Sequence, residues 1–171
     1  MSVLGRSAVA AVVFASAFAA PAGATPELPL GGCSGGEFRW TATEGAITMQ
    51  PKLLTFASAG VIRDCVGGPP DITGGTFTGS HVAMSDCMHP ADGPLTVWVT
   101  WSNGLKSTLW GQWPVGMVQP TVGPLDVVDG LGKGMRANMS VVYDMTPDMV
   151  MDCLGPGLRT GTGHFSGTTF G

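Results

Sequence analysis

Leu95–Trp101 (LTVWVTW), Ser102-Asn103-Gly104-Leu105 and Lys106–Trp113 (KSTLWGQW) form the stretch that decides the fold class. Residues alternate with period two on both flanks, which turns one face of each strand toward a core and the other toward water. Asn-Gly between two such runs is a strong hairpin cue, because a type I′ turn needs positive φ at both central residues. A two-residue loop at Asn103-Gly104 places Trp101 opposite Lys106 and Trp98 opposite Leu109. The same alternation sends Trp98 and Trp101 to opposite faces of their strand.

The pattern recurs on either side. Glu37–Glu44 (EFRWTATE) puts Phe38, Trp40 and Ala42 on one face and Arg39, Thr41 and Thr43 on the other, and Ile47 and Met49 continue it as far as Pro51. Leu53–Ala57, Gly60–Cys65, Thr76–Ser85, Leu125–Val128, Met135–Asp144, Asp148–Cys153 and Gly163–Phe170 are further strand candidates, and Gly67-Gly68-Pro69-Pro70-Asp71 is a turn. No amphipathic helix of convincing length interrupts them. Gly75-Thr76-Phe77-Thr78-Gly79 is echoed by Gly163-His164-Phe165-Ser166-Gly167, as two strands meeting similar close-packing demands would be. The expected fold is all-β: a single antiparallel Greek-key sandwich or barrel of about nine or ten short strands.

Composition narrows the function. Of 171 residues 12% are charged, with a net charge of −4, and 44% are apolar, with 27 Gly and 13 Pro. A nucleic-acid binder or polybasic membrane-surface protein needs the opposite charge balance, and this much apolar side chain is enough to bury a core. Arg6, the uncharged run Ser7–Ala20 and Ala22-Gly23-Ala24 fit a signal peptide over residues 1–24, leaving a secreted, extracellular β domain over 25–171 that starts at Thr25. The run is too short to span a bilayer, and Ser107–Leu125 is broken by Gly, Pro and Gln, so no membrane span is expected after cleavage. Leu30-Gly31-Gly32-Cys33 imitates a lipobox, but Pro21, Pro26, Glu27 and Pro29 separate it from the apolar run.

Four cysteines remain: Cys33, Cys65, Cys87 and Cys153. Without a CxxC pair neither a thioredoxin-like site nor a zinc ribbon is available. An even count in an exported chain implies two disulfides with three possible connectivities, of which chain order favours Cys33–Cys65 and Cys87–Cys153.

This layout resembles a group of small secreted actinobacterial β-rich proteins of unknown function. The residues that carry the likeness are Cys33-Ser34-Gly35, Cys65, Cys87, the hairpin Trp101-Ser102-Asn103-Gly104-Leu105-Lys106-Ser107 and Cys153-Leu154-Gly155-Pro156, and it extends over nearly all of 25–171. These motifs are turn and disulfide chemistry. The resemblance therefore implies a fold and carries no activity, cofactor or site residue; this chain is richer in Met and Trp than the group's pattern.

Catalytic signatures meet the wrong context. Gly32-Cys33-Ser34-Gly35-Gly36 matches G-x-S-x-G, but that motif works only at a strand-to-helix elbow, whereas here a Pro-rich run precedes it and a strand follows. His81, His89 and His164 have no spacing that completes a triad with Ser34. Gly130-Leu131-Gly132-Lys133-Gly134 lacks Walker spacing and a following helix. Asn138-Met139-Ser140 is a formal glycosylation sequon. Met84, Cys87, Met88 and His89, with Met145, Met149 and Met151, suggest soft copper ligands, yet Met on alternating strand positions also fills irregular cores. Asp144, Asp148 and Asp152 lack the spacing of a calcium loop. Glu27, Glu37, Glu44 and nine Asp supply carboxylates without a spacing that sets two across a cleft.

Trp98, Trp101, Trp110 and Trp113 are the remaining candidates for ligand binding, since indoles stack on sugar rings; as two faces of a hairpin they cannot all share one platform. The sequence leads to a secreted non-enzymatic β-scaffold, a binding or envelope-associated structural module without cofactor or metal, with cell-surface or extracellular polysaccharide as the partner class and no nucleic acid. A small secreted hydrolase using carboxylates or Ser34, or a copper-binding protein, are the alternatives.

Overall fold

The computed structural model describes residues 31–69, 71–88, 91–115 and 119–171; the export signal expected over residues 1–24 and His89 lie outside them. The described residues form β1 (Gly31–Ala42), β2 (Lys52–Gly67), β3 (Gly74–Ser85), β4 (Asp92–Trp101), β5 (Lys106–Pro114), β6 (Thr121–Gly130), β7 (Arg136–Tyr143), α1 (Pro147–Leu154) and β8 (Thr160–Phe170). Each strand pairs antiparallel with the next and β8 returns to β1, so one all-β sheet closes into a barrel. Closure joins the first and last strands, and the ladder is thinnest between β5 and β6, which pair only over Ser107–Trp110 and Asp126–Gly130. Both expected disulfides, Cys33–Cys65 and Cys87–Cys153, are present.

The connectivity is simpler than a Greek key: eight strands run up and down in chain order. Leu53–Ala57 and Gly60–Cys65 are two halves of β2. Gly60 looks like a strand breaker, but a Cβ there would collide with the Glu37 carbonyl and lie 2.8 Å from Phe38 Cβ and from the Phe77 ring, so its missing side chain admits the neighbouring β1 backbone and one ring. Asp148–Cys153, expected as a strand, is the body of α1. Thr146 caps this helix, its Oγ1 accepting from the Met149 backbone N–H at 3.3 Å, and Pro147 opens the first turn with Asp148 beside it. Those start signals outweigh the alternation of Met149, Met151 and Cys153.

The deciding hairpin is present with its register moved by one residue. Lys106 faces Thr100, and Trp98 faces Thr108. The Trp101 N–H donates to the Leu105 carbonyl and the Gly104 N–H to the Trp101 carbonyl, so the loop is the three-residue Ser102–Gly104. Gly104 has φ 84°, while Asn103 stays at negative φ, which excludes a type I′ turn. The reason lies in the side chains. Asn103 Oδ1 accepts from Leu105 N–H, its Nδ2 donates to Asp71, and Ser102 Oγ bridges the Asp71 carbonyl and the Thr73 N–H, locking the turn onto the β2–β3 loop. Replacing Gly104 by Val is expected to cost about 1–2 kcal/mol in urea unfolding. Nothing lies within 4 Å of the added Cβ, so the penalty is that of positive φ alone.

Alternation divides most of the wall, with a shift of phase in β1 between Cys33 and Phe38, in β2 between Ile62 and Cys65, and in β8 between Phe165 and Thr168. At the end where β4 meets β5 and β6 meets β7, the interior is plugged. Leu109, Leu125, Val127 and Ala137 are at most 2% exposed, and Trp101 packs edge-on to Phe170 with centroids 5.6 Å apart. The Trp101 Nε1–H donates to Ser107 Oγ, which donates to the Leu131 carbonyl. Cys33–Cys65 joins this plug. No described helix is long and apolar enough to cross a membrane.

Candidate functional site

At the opposite end the loops are long, and the barrel is hollow. A cavity of about 250 Å³ opens there, walled by Phe38, Trp40, Phe56, Phe77, Trp113 and Phe165 together with smaller apolar side chains from β4 and β7. An eight-stranded barrel either fills with side chains or retains room for one small ligand. The inward glycines explain why this one keeps its room. The Trp40 indole sits over Gly161, where a Cβ would lie 2.7 Å from three of its atoms, and the Trp113 ring sits over Gly123 at 3.1 Å. Phe38 occupies the space beside Gly163 in the same way. The rings are seated against the wall and leave the centre free.

The cavity's polar groups are few. His81, on the inner face of β3, is 8% exposed, and its ring lies against Phe56 with centroids 6.1 Å apart. Ser58 on β2 faces Trp40 on β1 and Gly79 on β3, which makes it a diagonal neighbour of His81. Tyr143 Oη accepts from Trp113 Nε1 at 3.2 Å, and burial pushes its pKa up to about 12, so the phenol stays protonated. Asp86, at the mouth, accepts from the Met88 N–H at 2.7 Å and is the only charged side chain in the lining among the described residues.

Burial lowers the His81 pKa below 6.5, against smaller opposing effects of a hydrogen bond to the Gly93 backbone and of Asp92. Above that pH the group is neutral folded and unfolded. As pH falls below it, the unfolded chain takes up a proton that the folded barrel resists. Stability is therefore expected to fall by up to about 1.4 kcal/mol per pH unit until the folded pKa is reached. Urea unfolding at about pH 7.5 and about pH 5.5 checks this; His81→Gln should remove that share of the loss.

α1 covers the mouth. Its Met149 and Cys153 line the cavity, yet none of its residues is buried, and Cys87–Cys153 ties it to the β3–β4 loop. The strand pairing that follows it is fixed by the Ile47–Leu158 bridge. An isolated helix this short is marginal in water, so the disulfide holds the lid. A Cys87→Ser/Cys153→Ser variant is expected to keep its far-UV β signal while a bound apolar probe exchanges roughly tenfold faster in stopped flow.

The four tryptophans expected to bind ligand are dispersed. Trp98 and Trp110 are outside, 47% and 45% exposed; Trp101 and Trp113 are inside, 3% and 2% exposed. Trp101 belongs to the plugged end, away from Lys106, and only Trp113 reaches the cavity. Trp40 and His81 reach it too. Neither was singled out as a ligand group from the sequence, although the inward set Phe38, Trp40 and Ala42 was legible there.

The other candidates lie apart. Ser34 is exposed within a strand, with no strand-to-helix elbow. His164 is on the outer wall, 3.1 Å from Asp144. Gly130–Gly134 is the β6–β7 turn, with positive φ at Gly130, Gly132 and Gly134. Met84, Met88, Met145 and Met151 are exposed and Cys87 is oxidised; among the described residues no three His, Cys, Asp or Glu group as metal ligands. Glu37 pairs with Arg63 on the outside. Comparison with protein families, with curated proteins and with solved structures finds no match to this chain, which leaves the geometry of the cavity to carry its functional reading.

Proposed function

We propose that this is a non-enzymatic binding protein that holds one small apolar molecule inside its barrel and works outside the cytoplasm. The apolar, ring-walled cavity open at one end is the observation that carries the reading. At interior packing density its volume suits a molecule of about a dozen non-hydrogen atoms. The extracellular placement is supported by the two disulfides, which persist in oxidising compartments, and by the export signal read in residues 1–24. Unfolding in the presence of naphthalene or 2-naphthol tests the binding: at a hundredfold excess over Kd the folded state should gain about 2.7 kcal/mol. An unfolding curve that neither compound moves would remove the proposal.

A second reading is favoured by one feature of the outer wall. A depression there is lined by Thr76, Thr78, Trp98, Thr100, Lys106 and Thr108, and Trp110 lies diagonally across from Trp98 on the adjacent strand. Hydroxyls around an exposed indole suit a sugar ring, so extracellular polysaccharide would be the partner. Acrylamide quenching of tryptophan fluorescence separates the two: a polysaccharide should protect Trp98 and Trp110, whereas a ligand in the cavity leaves them accessible.

A further inference from the structure

Two buried polar atoms in the cavity lining have no hydrogen-bond partner among the described residues: His81 Nε2 and Trp40 Nε1. Leaving such a group unpaired costs about 1–3 kcal/mol, and native interiors seldom tolerate it without cause. The Gly93 backbone also acts on the His81 ring as a hydrogen-bond partner, and with Nε2 unpartnered that interaction falls to Nδ1. That bond favours an N–H on that side, which in the neutral ring leaves Nε2 as a lone-pair acceptor. Ser58, the diagonal neighbour of His81 on β2, adds a hydroxyl to the same stretch of wall.

Among the described residues no Lys or Arg side chain contributes to the lining, and its one carboxylate, Asp86, stands at the mouth. A ligand carboxylate would be buried without a Lys or Arg partner among the described lining residues, which is unfavourable. A hydroxyl has no such penalty and can donate to Nε2.

We propose that the cavity selects a neutral, hydroxyl-bearing apolar molecule, a phenol or alcohol whose O–H donates to His81 Nε2, over the same skeleton carrying a carboxylate. This rests on the reading of the cavity as the binding site. The burial that lowers the His81 pKa keeps the acceptor lone pair available at neutral pH. Asp92, the charge that acts on the ring through space, opposes this only in part.

Calorimetric titration of the full chain with naphthalene, 2-naphthol and 2-naphthoate near pH 8, where the last alone is charged, tests the proposal. 2-Naphthol should bind about tenfold more tightly than naphthalene, and 2-naphthoate more weakly than either. In His81→Phe the two neutral compounds should bind alike. Should that variant fail to fold, the nitrogen-15 resonance of His81 Nε2 in the native protein serves instead, moving with 2-naphthol and staying put with naphthalene. Equal affinities for all three compounds, or tightest binding of 2-naphthoate, would overturn the hydroxyl selection and leave the cavity as a binding site. Binding of none would overturn both.

Discussion

Replacing Trp101 by Ala is expected to destabilise the barrel by about 3–5 kcal/mol, whereas the same change at Trp98 should cost less than about 1 kcal/mol. Both residues lie on β4, but alternation puts them on opposite faces. Trp101 is 3% exposed, packs against Phe170 and donates its indole N–H to Ser107 Oγ. Truncation opens a void at the plugged end and removes the partner of a hydroxyl that is itself buried. Trp98 is 47% exposed and loses little. For a domain of this size the Trp101→Ala penalty corresponds to roughly 10–15 °C in Tm, readable by calorimetry. Similar losses at the two positions would mean that the inside and outside of β4 have been assigned wrongly.

Val97→Trp is expected to weaken binding of a naphthalene-sized ligand by at least about a hundredfold, with a stability cost below about 1 kcal/mol. Val97 is on the inner face of β4, 5% exposed, and its side chain lines the cavity. In a filled core the larger ring would cost about 1–3 kcal/mol through strain. Here there is space for it, and that space is what the ligand needs. Calorimetric titration combined with urea unfolding reads both quantities on one sample. A strongly destabilised variant would show that the cavity closes in solution; an undisturbed affinity would place the ligand elsewhere.

Much of the architecture was legible in the sequence because it is written in local chemistry. Phe38, Trp40 and Ala42 do share the inner face of β1, the deciding hairpin joins β4 to β5, and the cysteines pair in chain order. The two Gly-Thr/His-Phe-Thr/Ser-Gly segments lie on β3 and β8, and their Phe77 and Phe165 rings meet edge-on across the interior at 5.5 Å. What was hidden depends on partners remote in the chain. The loop at Ser102–Gly104 gained a residue because Asp71, on another turn, captures Asn103. Strand number and closure have no local signature, since β8 finds β1 only once the sheet has curled. The helix start at Thr146-Pro147-Asp148 was visible, but the alternating residues after it masked the signal.

The cavity was the least legible feature. Its emptiness comes from pairs such as Trp40 over Gly161 and Trp113 over Gly123, each uniting residues from different strands. Glycine at alternate positions, as in Gly161 and Gly163, was the available sign, and it marks where a neighbouring ring will rest. The tryptophans that stood out by clustering in sequence were sorted by the barrel into outer wall, plug and cavity, so their proximity along the chain said little about a shared site.

The most direct test of the central claim is the indole N–H spectrum of the five tryptophans during titration with 2-naphthol. The cavity account expects the Trp40 and Trp113 resonances to move together to saturation while those of Trp98 and Trp110 stay fixed. Movement confined to Trp98 and Trp110, with Trp40 and Trp113 unchanged, would contradict it.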